Sequence, residues 1–156
     1  MKILLILPIV ALAGCATPEF QAIFGTAPEA PIATPATVAG TAPPPPRNAT
    51  TVADFDTTSQ ADRDAAVTTV AASQASLGTT IASLGSPTEP GIWLKTPLVT
   101  TLTAGRVEYQ GNAINVQLRP SGGAAGSGSQ ISLAAMRLLK APLTGLPELT
   151  VFATRP

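Results

Sequence analysis

The pattern that most restricts this chain lies between Ile114 and Arg119. There Ile114, Val116 and Leu118 alternate with Asn115, Gln117 and Arg119. Successive side chains of a strand point to opposite faces, so this spacing predicts a strand with one face in an apolar core and one in water. Arg106-Val107-Glu108-Tyr109 alternates in the same way, and Gly111-Asn112 between the two segments turns the chain, which predicts a β-hairpin. A lone hairpin is marginal in water and needs further sheet to cover its apolar face. Residues 79–84 and 92–96 read as short strands, the second carrying the only tryptophan, Trp93, and residues 149–152 read as a closing strand. Ser132 is placed to cap a short helix over 134–141, with Leu133, Met136 and Leu138 or Leu139 on its apolar face and Pro142 ending it. The expectation is a mainly β (α+β) fold, a small barrel-like domain over residues 78–156 with one short helix. Aromatic residues are only 4% of the chain, so its core must be aliphatic and small.

Upstream, Asp54-Phe55-Asp56-Thr57 opens a second predicted helix, over residues 54–77. Thr57 and Gln60 have capping-box spacing, and Asp54, Asp56, Asp62 and Asp64 gather where the helix dipole favours anions. Gly78 would stop it. Its apolar stripe is thin (Val67, Val70, Leu77), so it reads as a marginal helix. Residues 15–53 are rich in Pro, Ala and Thr, with a polyproline run at 43–46. Such a segment has too few large apolar groups to offset its ordering entropy, which predicts a disordered tether, stiffened by proline at about 3.1 Å per residue where extended. Phe20, Ile23 and Phe24 are the apolar exceptions, and isolated apolar residues of this kind are ordinary.

The first fourteen residues form another kind of unit. Met1-Lys2 is short and basic, residues 3–12 are apolar, and small residues lead to Cys15. The run is shorter than the about 20 residues a membrane-spanning helix needs, and it fits a cleaved export signal. Leu12-Ala13-Gly14-Cys15 resembles the lipobox of bacterial lipoproteins. That resemblance implies removal of residues 1–14, lipidation of the Cys15 thiol, and anchoring to a membrane. Ala16 in place of Asp implies the outer membrane, at its periplasmic face, rather than retention at the inner one. Cys15 is also the only cysteine, so the exported chain can form no intramolecular disulfide.

Composition excludes several functions. Nine basic and nine acidic residues give zero net charge, so no basic face exists to release counterions from nucleic acid. There is no histidine, which removes the commonest general base and the commonest metal ligand. No cofactor and no metal site are expected. The Gly/Ser/Ala segment 121–129 is not a phosphate loop, because no Lys follows its glycines, and it reads as a flexible connection. Candidate contacts for a glycan or protein partner are Trp93, Tyr109, Arg106 and Arg119, since an aromatic face beside hydrogen-bond donors suits sugar rings. Trp93, between Ile92 and Leu94, reads more readily as core. For glycan cleavage only Glu89 and Glu108 stand in the folded part as candidate acid and base, and they would have to share one cleft.

Lipobox, Pro-rich tether and terminal β-domain in this order resemble the rare lipoprotein A group, whose C-terminal domain is a double-psi β-barrel. Ile114 to Leu118 is similar to the strand that leads to its Asp-Arg-Gly-Pro loop. Ile131-Ser132-Leu133-Ala134 resembles its Ile-Asp-Leu-Ser helix opening, and residues 149–152 its last strand. The resemblance implies a glycan-strand lyase or hydrolase. This chain departs from it where Arg119-Pro120-Ser121-Gly122 and Ser132 replace the acids such cleavage uses. A further resemblance, to small lipoproteins labelled as sugar-acid dehydratases, implies nothing for a chain without histidine. The reading is therefore a lipid-anchored envelope protein with a non-catalytic binding or structural role, its partner being peptidoglycan or another envelope protein.

Overall fold

A computed structural model describes residues 42–69 and 73–155; Cys15, the lipobox and the first part of the expected tether lie outside them. The elements in chain order are α1 (Val52–Phe55), α2 (Gln60–Val67), β1 (Ser73–Leu84), β2 (Trp93–Thr96), β3 (Thr103–Tyr109), β4 (Asn112–Pro120), β5 (Ser129–Ile131), α3 (Leu133–Leu138) and β6 (Glu148–Arg155). The six strands close into a barrel in the order β1-β5-β2-β4-β3-β6. β1 runs parallel to β5 and β2 parallel to β4; the other four pairs are antiparallel. Exchanging β1 with β4, β2 with β5 and β3 with β6 returns the same order and the same directions. The barrel therefore has a pseudo-twofold topology in which each half sends one strand across the other.

The expected hairpin is β3–β4, paired from Tyr109↔Asn112 to Thr103↔Leu118. Its turn places Gln110 and Gly111 at positive φ (46° and 81°), and only the glycine adopts this without a steric penalty. Val107, Ile114, Val116 and Leu118 point inward with Leu94, Ile131, Leu149 and Val151, and all are buried. Met136 of α3 and Leu139, which caps its C-terminus, join this aliphatic core. Ser132 caps α3 as its position predicts, accepting from the Ala135 N–H, but the helix ends earlier than expected, at Leu138, with Lys140 at φ 56° before Pro142 is reached.

Three expectations are corrected. The helix expected over 54–77 is two short helices followed by a strand. Thr51 and Asp54 form the capping box of α1, Ser59 caps α2, and the Thr57 hydroxyl instead donates to the Pro43 carbonyl. The main-chain N–H and hydroxyl of Thr51 hold the Asp54 carboxyl below the usual carboxylate range. Residues from Ser73 onward are drawn into β1 because β6 offers a full ladder, and Gly78 (φ 111°), paired with Val151, follows a bulge at Leu77 rather than capping a helix. The barrel therefore begins at Ser73, not at residue 78. Likewise, the part of the expected tether that is described, residues 42–53, is ordered: Ala42 is buried, Ala49 closes a turn on Pro46, and α1 follows. Finally, β5 was not anticipated, and two short helices, α1 and α2, stand where a single one was expected.

The N-terminal helices are fixed to the barrel by polar contacts. Asn115 Nδ2 donates to the carbonyls of Ala65 (3.2 Å) and Thr68 (2.8 Å) at the end of α2. The Asp56 carboxylate, 3% exposed, is paired with Arg63 and with Arg137 of α3.

One close approach limits the barrel interior. A Cβ at Gly105 would lie 2.4 Å from Leu118 Cδ1 and 2.7 Å from the Phe152 carbonyl oxygen, whereas one at Gly111 would meet nothing. Gly105→Ala is expected to destabilise by overpacking, about 1–3 kcal/mol in urea titration. Gly111→Ala is expected to lose about 1–2 kcal/mol through its left-handed backbone alone.

Candidate functional site

The outer face of β1-β5-β2-β4 carries the densest polar chemistry of the barrel. Because Leu94 faces the core opposite Leu118 and Ile131, its neighbours Trp93 and Lys95 face outward. Register sets Trp93 beside Gln117, and Lys95 between Arg119 and Gln130. Next to them on β1 stands Ser83, level with Gln130.

Trp93 is fully buried although it points away from the barrel core. Gly85 and Gly91 of the loop 85–92 lie against its ring, and its indole N–H donates to the Glu89 carbonyl at 3.4 Å. The guanidinium of Arg119 sits 5.2 Å from the ring centroid and the Lys95 amine 5.6 Å. Cations at such distances gain about 0.5–1 kcal/mol each from the ring when exposed. The Glu89 carboxylate takes Arg119 Nη1 on one oxygen and faces Lys95 Nζ at 3.9 Å with the other, while Arg119 Nε donates to Gln117 Oε1 at 2.8 Å. Trp93 is buried, as its place between Ile92 and Leu94 suggests, but it packs outside the main core cluster and offers no exposed sugar platform. It is a buried support for a surface cluster of Arg119, Lys95 and Glu89.

The four candidate contact residues do not converge. Tyr109 is half-buried against the core at the opposite end of the hairpin, paired with Asn112. Arg106 lies opposite Asn115 and pairs with Glu108 at 3.6 Å. Glu89 and Glu108 do not share a cleft either. Glu108 is level with Ala113, while the Arg119 that Glu89 holds is six residues further along β4, about 20 Å away at strand rise. An acid and a base for one glycosidic bond stand within about 10 Å. Ser132, where the resemblance would set an acid, is buried, and its Oγ accepts from the N–H groups of Trp93 (3.1 Å) and Ala135 (3.3 Å).

Beside the cluster lies a cleft of about 590 Å³ under the loop 121–128. Ser83, Ser121, Ser127, Gln130 and Lys95 present hydroxyls, an amide and one amine to it, and no carboxylate is among its lining residues. Ile81 and Leu146, 48% and 67% exposed, form an apolar flank. The Gly/Ser segment is therefore a cleft wall as well as a connection. Lys95 and Gln130 were missed as site residues; the alternation of Lys95 between Leu94 and Thr96 is the one signal that placed it outward. Among the described residues no group of three His, Cys, Asp or Glu side chains could hold a metal, and no helix is long and apolar enough to cross a membrane.

Comparison with protein-family models, with curated proteins and with solved structures gives no match.

The single tryptophan makes the cluster measurable. Arg119→Ala is expected to shift Trp93 emission to longer wavelength, because the guanidinium is part of what keeps water from the ring. Trp93→Ala is expected to cost about 3–5 kcal/mol of stability, the usual loss for a buried aromatic, read from denaturant midpoints.

Proposed function

We propose that this protein is a lipid-anchored component of the bacterial cell envelope, held by Cys15 at the periplasmic face of the outer membrane, and that its barrel binds an envelope polymer, peptidoglycan in the first place, without cleaving it. The observation that carries the binding reading is the cleft beside Lys95. It offers hydroxyl, amide and amine partners with an apolar flank and no carboxylate among its lining residues. Such a lining can hydrogen-bond a hydroxyl-rich chain and pair with its carboxylates through Lys95, and it presents no pair of carboxyl groups of the kind that glycan cleavage uses. The positions that would carry acids are occupied by Arg119, committed to Glu89 and Gln117, and by Ser132, committed to capping α3.

The closed six-stranded barrel with two parallel pairs related by a pseudo-twofold supports kinship with the double-psi barrel of the rare lipoprotein A group. The short basic start, apolar run and small residues before Cys15 support export and lipidation.

Two experiments test the two halves of this reading. Cells fed an alkynyl fatty acid are expected to label the wild-type chain, and Cys15→Ala is expected to abolish the label and move the protein out of the membrane pellet. An unlabelled wild-type chain would overturn the anchor. The detergent-purified full chain is expected to be retained on isolated sacculi, with Lys95→Ala/Gln130→Ala weakening retention about tenfold, the effect of about 1.4 kcal/mol. Both side chains are outward, so folding is expected to be unaffected. No retention, or release of soluble sugar fragments, would overturn binding without cleavage.

A further inference from the structure

A barrel normally leaves no strand edge open, yet here β1 has one. β1 is twelve residues long. β6 pairs with one side of it from Ser73 to Ile81, but β5 covers only Ala82–Leu84 on the other. The Ala82 N–H donates to the Pro147 carbonyl at 3.0 Å, which fixes the phase of the antiparallel ladder. Ala82 donates towards β6 and Gly78 and Thr80 share its phase, so Thr79 and Ile81 turn their main-chain groups the other way. The Ile81 carbonyl falls to Ser129 in the short parallel ladder. The Ile81 N–H and both main-chain groups of Thr79 have no strand beside them among the described residues.

These groups open on a groove of about 210 Å³ walled by Pro97 and Leu98 on one side and Gly126 and Gly128 on the other. The groove continues past Ile81 into the larger cleft, which shares Ile81, Gly126 and Gly128 with it. Gly128, at φ 78°, turns the chain away from β1, so β5 cannot extend back along the strand. The glycine wall lets another main chain approach closely.

The composition of β1 agrees. Proteins ordinarily blunt a free edge with charge or proline. Ser73–Leu84 (SQASLGTTIASL) has neither. Its bulge lies on the far side of Gly78 and leaves Thr79 to Ile81 regular.

We propose that this edge docks an extended polypeptide strand of a partner protein, seated where a longer β5 would lie. Main-chain bonds to Thr79 and Ile81 supply the pairing, and alternate side chains of the added strand reach the Pro97–Leu98 wall and the cleft. Lys95 stands on the cleft side, beside Gln130, whereas Glu148, level with Ile81 on β6, lines the groove. An acidic residue of the incoming strand therefore belongs at the Lys95 end. The proposal depends on the fold alone and not on the lipid anchor or on sacculus binding.

The test uses the detergent-purified full chain and a displayed library of random linear peptides. Enriched peptides are expected, and single N-methylation along each is expected to lower affinity about tenfold or more at every second position only, the effect of about 1.4 kcal/mol. Thr79→Pro removes an N–H that faces the groove while leaving the β6 ladder intact, and proline is tolerated at edges. It is expected to abolish peptide binding with unchanged far-UV circular dichroism and unchanged sacculus retention. Should Thr79→Pro fail to fold, the N-methyl series on the wild-type chain decides alone. No enrichment above an unrelated protein, or losses without the two-residue period, would overturn the proposal. So would a dimer in sedimentation that Thr79→Pro converts to monomer, since the edge would then belong to a second copy.

Discussion

Closure of the barrel rests on a short crossing strand, the four-residue β2. It alone joins β4 to β5, by parallel pairing on one side and two antiparallel positions on the other. Leu94 is the inward residue common to both, packed among Leu118 and Ile131. Four residues of ladder are little to hold a sheet closed, and the chain reinforces them from outside. The Trp93 N–H donates to Ser132 Oγ, and the Trp93 carbonyl accepts from the Ser132 N–H at 3.0 Å. The cap of α3 is therefore also the clasp of β2. Serine suits this clasp, because a buried hydroxyl is readily satisfied where a buried carboxylate would need a charged partner.

The same strand determines where the polar site lies. With Leu94 turned inward, Trp93 and Lys95 have to face out, and an outward tryptophan on a water-facing sheet needs cover. Arg119, Lys95 and the loop 85–92 supply it, and Glu89 balances the two cations. The cluster is in the first place a way of burying one indole outside the core. Its consequence is a pair of cations held beside the cleft, of which Lys95 lines it.

The sequence made the hairpin legible because both of its strands have one face in the core, so Ile114, Val116 and Leu118 stand out from polar neighbours. β1 was not legible for the opposite reason. Ser, Gln, Ala, Thr and Gly carry no strong period, and what makes residues 73–77 a strand is a ladder to β6, about eighty residues away in sequence. β5 was missed because three residues are too few to show a pattern. The burial of Trp93 was legible between Ile92 and Leu94, but its cover was not; parity placed its side chain outward, and the loop that covers it cannot be located from sequence. The site was legible in pieces only. Lys95 and Gln130 are unremarkable in their own segments, and it is the crossing of β2 and β5 that sets them side by side.

The crossing also explains why a cleft and a free edge occur together. In a pseudo-twofold barrel each half inserts one strand into the other, so β2 beside β4 and β5 beside β1 hold equivalent positions. On the β2 side four residues pair with the last four of β4, which runs on for five more towards Asn112. On the β5 side the pairing is three residues, and β1 runs on for nine more. The difference comes from the loop 121–128, whose glycines at 122, 126 and 128 adopt positive φ and carry the chain outward over Ser83 and Gln130 instead of along β1. One feature, a glycine-rich detour before β5, thus roofs the cleft and uncovers the main chain of Thr79 and Ile81. Lengthening β5 at the expense of that detour would cover the edge and fill the cleft in the same step, so the two surfaces are physically coupled.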